Sequence, residues 1–81
     1  MYENLISNYV SKMTEEDIQK FASSKGINIS EADLPIIYEY TKKHWKEFYE
    51  KNASKVLEEL KPKISLETYN KIEDMYSDYL K

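Results

Sequence analysis

The chain contains a single glycine, and its place constrains the fold more than any other residue. Gly26 stands between two segments that each open on a hydroxyl residue with an acid three positions later: Thr14 with Asp17, and Ser30 with Asp33. A hydroxyl just ahead of a helix accepts a bond from a first-turn N–H, and acids there meet the positive end of the helix dipole. The spacing therefore predicts one helix after Thr14 and another after Ser30. In the first, Glu15, Glu16 and Asp17 load the opening turn, with Asp17 a shorter substitute for the usual Glu or Gln, and Ile18, Phe21 and Ala22 form a narrow apolar stripe. Gly26 fits the left-handed residue just past a helix end. Ile27 and Ile29 alternate with Asn28, which predicts a short extended link with both isoleucines on one side. No partner run for a two-stranded sheet is found. Pro35 lies early in the second helix, where its missing N–H costs little. The two helices cannot merge into one rod, so they meet at an angle with Ile27 and Ile29 in the corner.

The remaining segments read as helices that cover this unit. Tyr2 to about Ser11 carries Leu5, Ile6, Tyr9 and Val10, with Met13 closing the seam, and is expected to lie on the core as a lid. After Glu31, Leu34, Ile37, Thr41, Trp45, Phe48, Asn52, Val56 and Leu60 follow one another by threes and fours, with no Gly or Pro between Pro35 and Pro62. Periodicity alone allows one rod of about thirty residues, which so small a domain cannot cover. We expect a bend or break in the polar KKHWK run, with one helix ending near Lys43 and the next running from about Lys46 to Lys61. Pro62 stops that helix and biases Lys61 toward extended geometry. Ser65 can cap a last helix whose stripe is Leu66, Tyr69, Ile72, Tyr76, Tyr79 and Leu80, with Met75 beside it.

The fold class expected is all-α: a compact bundle of four to five short helices, one domain over 1–81, with the helix–link–helix unit at its centre. Phe21, Ile27, Ile29, Ile37, Val56, Leu60 and Ile72 are the predicted core. The 81 residues hold 22 Leu, Ile, Val, Met, Phe and Trp together and eight tyrosines, so nearly every helix must feed one core or a partner.

Composition narrows function chiefly by exclusion. The absence of cysteine removes disulfide and thiolate chemistry and points to a reducing, cytoplasmic setting. MYENLISNYV has neither the basic region nor the apolar run of a signal peptide, and no window approaches the length of a membrane span. Net charge is −3, distributed as −4 over 1–40, +2 over 41–61 and −1 over the rest. All twelve basic residues are lysine, and arginine is the side chain suited to bidentate phosphate and guanine recognition. An AT-rich genome would empty the arginine column equally well.

The pattern TEEDIQKFA at 14–22, GINIS at 26–30, VLEEL at 56–60 and KISLETYNKI at 63–72 resembles a family of small uncharacterised proteins of Gram-positive bacteria, known as a domain of unknown function. The likeness spans nearly the whole chain. Family members carry a glycine-containing break after the second capped helix, where this chain has Lys42 and Lys43. The resemblance implies an all-α fold and carries over no site residue.

Candidate chemistry is sparse. His44, the lone histidine, has Glu47 three residues on, but a zinc site needs three or four ligands, and a solvent-facing or capping role accounts for it better. The eight serines show no arrangement with a histidine or lysine that marks a nucleophile, and the acidic clusters lack the glycine and alternating oxygens of a calcium loop. No enzyme activity, cofactor or metal is expected. The two capped helices and their link resemble in outline helix–extended–helix modules that bind DNA. Residues 14–43 nevertheless sum to −2, and a phosphate-binding face needs concentrated positive charge. The one basic stretch is Lys42, Lys43, Lys46, Lys51 and Lys55, beside Trp45 and Tyr49, where aromatics among lysines could stack on bases. The commoner arrangement is a core aromatic beneath lysine stems. Surplus aromatics on several sides of one helix fit a protein interface. The candidate partner surface is accordingly Tyr38, Lys42, Lys43, Trp45, Lys46 and Tyr49, serving a homodimer or another protein, with nucleic acid the alternative and no membrane contact.

Overall fold

The computed structural model describes residues 2–81. Five α-helices follow one another: α1 Tyr2–Lys12, α2 Glu15–Ser24, α3 Leu34–Tyr49, α4 Ser54–Leu60 and α5 Leu66–Leu80, with a 3₁₀ turn at Lys61–Lys63. No strand occurs among the described residues, so the fold is an all-α bundle. The radius of gyration, 12.1 Å, is close to the roughly 11.7 Å expected of a compact chain this long.

The corner forms as the glycine requires. The Thr14 hydroxyl accepts from the Asp17 N–H at 3.2 Å while the Asp17 carboxylate accepts from the Thr14 N–H at 3.0 Å, closing a reciprocal cap on α2. At the other end Gly26 takes φ 76°, and the N–H groups of Ile27 and Gly26 return to the Ala22 and Ser23 carbonyls at 2.8 and 3.0 Å. That pair of bonds is the Schellman stop, and it satisfies carbonyls the helix end would otherwise orphan. Ile27 and Ile29 are 5 % and 4 % exposed, with Asn28 between them in solvent. Each buried isoleucine contributes about 2 kcal/mol of transfer free energy, an upper figure because denatured chains are already partly collapsed.

The second start is displaced from the expected one. The Ser30 hydroxyl does accept from the Asp33 N–H at 3.3 Å, but residues 31–33 form a turn and the regular helix begins at Leu34. Pro35 explains this: with no N–H it cannot bond the Glu31 carbonyl, so the ladder opens there. The Asp33 side chain is thereby free to reach across the molecule.

The KKHWK run does bend, at His44 (φ −122°, ψ 15°), but the helix resumes beyond the kink, continues to Tyr49, and the chain leaves it only at Lys51. Lys51 has φ 61°, and the N–H groups of Asn52 and Lys51 bond the Glu47 and Phe48 carbonyls at 2.8 and 3.1 Å. A second Schellman stop thus forms with a lysine in the glycine place. α4 is short in consequence. Lys61, expected to be extended ahead of Pro62, stays helical (φ −49°, ψ −48°), because the chain tightens into a 3₁₀ turn and extends only at Ile64.

The core gathers Val10 of α1, Met13 just beyond it, Ile18 and Ala22 of α2, the two link isoleucines, Ile37, Leu57, Leu60, Ile64 and Tyr69. Of the predicted core, Val56 is buried outside this main cluster and Ile72 is half-buried against it. Phe21 is a correction: it is 55 % exposed, because Ile18 and Ala22 occupy the inward face and Phe21 lies about 100° round the helix from Ala22. The stripes of α1 and α5 are likewise only half used. Leu5, Tyr9, Leu66, Tyr79 and Leu80 remain exposed, while Ile6, Val10 and Met13 do the covering. Among the described residues no helix is long and apolar enough to cross a membrane.

Candidate functional site

The six residues of the expected partner surface separate in the structure. Tyr38 and Lys42 turn toward α1: the Tyr38 hydroxyl donates to the Met13 carbonyl and the Lys42 ammonium to the Ser11 carbonyl, each at 3.2 Å. The ammonium also lies 5.3 Å from the Tyr38 ring centre. A cation and a hydroxyl thus meet the negative end of α1. Trp45 is half-buried against the core, with the Tyr49 ring 6.3 Å away. The Tyr49 carbonyl accepts from the Tyr79 hydroxyl at 3.1 Å. Lys43 and Lys46 are exposed. Of the other lysines in the basic stretch, Lys51 lies over the Tyr79 ring at 5.4 Å and Lys55 is exposed.

His44 sits with Nδ1 3.1 Å from Glu47 Oε2. Among the described residues no three His, Asp or Glu groups are placed to hold a metal.

A feature that the spacing did not announce is an apolar cleft. Two adjoining recesses, of about 580 and 380 Å³, share Phe21, Phe48, Ile72 and Met75 in their walls, between α2 and α5. The outer part opens beside Lys25, Tyr49, Asp78 and Tyr79. The inner part reaches Val10, Ile18, Ile27, Ile29, Ile37 and Leu60, with Tyr9 and Phe21 exposed at its mouth. Side-chain contacts hold α5 across this gap. Tyr76 packs edge-on against Phe48 at 5.6 Å, and its hydroxyl accepts from the Ala53 N–H at 3.0 Å. A sealed dry void of 380 Å³ would cost about 9 kcal/mol, as much as the whole stability of many domains. Opening it at Tyr9 and Phe21 exchanges that cost for an apolar wall facing water. The signal in the chain was a surplus: more large apolar residues on α1, α2 and α5 than one face of each could bury.

Two groups on the α4–α5 side are shifted. Burial, reinforced by the hydrogen bond its hydroxyl donates to Glu73 at 3.0 Å, raises the Tyr69 pKa above its ordinary 10.0. The Lys63 ammonium donates to the Tyr40 hydroxyl at 2.7 Å, and that bond raises its pKa above 10.5. Neither group faces the cleft mouth, and neither is placed beside a nucleophile.

Comparison with protein-family models, with curated proteins and with solved structures yields no match for this chain.

Proposed function

We propose that this chain is a non-enzymatic interaction module that associates with a second copy of itself or with another protein. The observation that carries the reading is the ring of exposed large apolar side chains, Tyr9, Phe21, Tyr79 and Leu80, on the helices that flank the cleft. Small domains rarely leave such a group in water without a use for it. Lys43 and Lys46, of the expected surface, are exposed on the side of α3 turned away from Ile37, Trp45 and Phe48. Absence of cysteine supports a reducing compartment, and the cytoplasm is the proposed location. Kinship with the small Gram-positive family that TEEDIQKFA and GINIS resemble belongs to the same proposal.

Light scattering over a concentration series tests self-association, with Phe21→Ser and Tyr79→Ser as the disrupting pair. A mass that doubles with concentration in the parent chain and stays single in the double variant is the expected result. A strict monomer that retains no protein from a cell extract would remove this reading. Weak nucleic-acid binding is the lesser alternative. Its lysines are divided, since Lys42 and Lys51 are engaged within the chain and leave Lys43, Lys46 and Lys55 exposed. No oligonucleotide binding at low salt would end it.

A further inference from the structure

The inner recess has a chemistry of its own, separate from the partner surface at its mouth. Its floor and walls draw on all five α-helices and the extended link, so the space lies at the centre of the molecule rather than on a face. The side chains around it are otherwise well buried, Leu60 being 3 % exposed. Five of the lining side chains carry a polar group; Tyr9 and Trp45 bring a hydroxyl and an indole N–H, and the other three each make a bond within the chain. The Thr41 hydroxyl donates to the Ile37 carbonyl at 2.8 Å. The Tyr40 hydroxyl accepts from Lys63, and the Asp17 carboxylate accepts from the Thr14 N–H. Aliphatic and phenyl side chains from every helix make up most of the wall, so a polar ligand would leave most of its groups without partners.

We infer that the inner recess is a binding site for a small uncharged apolar molecule, a hydrocarbon ring or a short alkyl chain. Its 380 Å³ is about two and a half times the ~150 Å³ of an engineered apolar cavity that takes up benzene, and it falls within the range of ligand pockets. Met13 and Met75 in the wall supply unbranched, polarisable side chains that adapt to the shape of a guest. Phe21, exposed at the mouth, is the side chain a guest must pass. The inference goes beyond the partner reading and does not depend on it.

Trp45 lines the recess and is the only tryptophan, so the chain carries its own reporter. The parent chain, held at a concentration where light scattering gives one species, is titrated with toluene and, separately, with 1-octanol. A saturable change in Trp45 emission and a rise in melting midpoint are expected with at least one, and the better probe identifies ring or chain as the preferred guest. Ala22→Leu, which grows a side chain into the recess, should weaken binding at least tenfold while leaving helical circular dichroism unchanged. Methyl resonances of the parent chain give a reading independent of that variant. Ile18, Ile29 and Ile37 should shift on saturation, while Ile64, a core residue that does not line the recess, should not. Lack of any saturable response to either probe, undiminished binding by Ala22→Leu, or an equal shift at Ile64 would overturn the inference.

Discussion

Two residues stop helices in the same way and differ in how plainly they say so. Gly26 and Lys51 both take a left-handed backbone, and each completes the same pair of return bonds. Glycine adopts that conformation without steric penalty, which is why the corner at 26–30 was legible in the sequence. Lysine gives no such notice, so polarity marked the bend that does form within KKHWK, at His44, but not the stop at Lys51. A usable sign was Asn52, a polar residue in the continuing apolar seam: the seam failed there because the helix had already ended. The two stops give opposite expectations. Lys51→Gly relieves the left-handed strain, worth about 1 kcal/mol, and forfeits a surface cation–ring contact of about 0.5 kcal/mol, so the melting midpoint should rise by about 3 °C. Gly26→Ala should lower it by about 6 °C. A methyl group at Gly26 would meet no atom within 4 Å, so that loss measures backbone strain and nothing else. Equal midpoints for both variants in a thermal melt would contradict the assignment.

At the scale of elements, the cap that ties the bundle together joins residues 32 positions apart. Asp33 was read as the partner of Ser30, three residues before it, because local spacing is what a sequence displays. With the ladder opened by Pro35, its carboxylate instead accepts from the Ser65 N–H and hydroxyl at 3.2 and 2.9 Å. Ser65 in turn caps α5, accepting from the Thr68 N–H at 3.4 Å. One buried acid therefore fixes where α5 starts relative to α3, a long-range fact invisible in any window of the chain. Asp33→Ala should cost about 2 kcal/mol, because it leaves the Ser65 N–H without its acceptor in a part-buried place. The midpoint should fall by about 10 °C, with amide exchange accelerated first in the opening turn of α5. Asp33→Asn keeps an acceptor oxygen and should recover most of the loss. If Asn and Ala behave alike, the bond to Ser65 is not what stabilises that start. The apolar stripes of α1 and α5 were legible as stripes, but how much of each is covered depends on how far α5 stands from α2. That distance is a property of the cleft rather than of either helix.

Across the whole molecule, two groups of the α4–α5 half titrate in alkali, and one of them, Lys63, ties that half to α3. Lys63 reaches Tyr40 from the 3₁₀ turn, and Tyr69, with the Lys61 ammonium 5.6 Å from its ring centre, donates to Glu73. Folding raises the pKa of both groups above their ordinary values of 10.5 and 10.0. A raised value means that the folded chain holds the proton longer than the unfolded one. Each contribution is therefore complete below the ordinary pKa and is lost as pH climbs from there through the folded value. Urea midpoints should stay level up to about pH 9 and then decline, the unfolded state being the one that has released protons. Tyr69→Phe removes one of the two contributions. It should start about 1 kcal/mol lower at neutral pH, for the lost bond to Glu73, and then fall less steeply than the parent in alkali. The two curves should converge as pH rises, since the parent loses what the variant never had. Curves that run parallel from neutral to alkaline pH would show that Tyr69 loses its proton as readily in the fold as out of it, and the link between its burial and the stability of the bundle would fail.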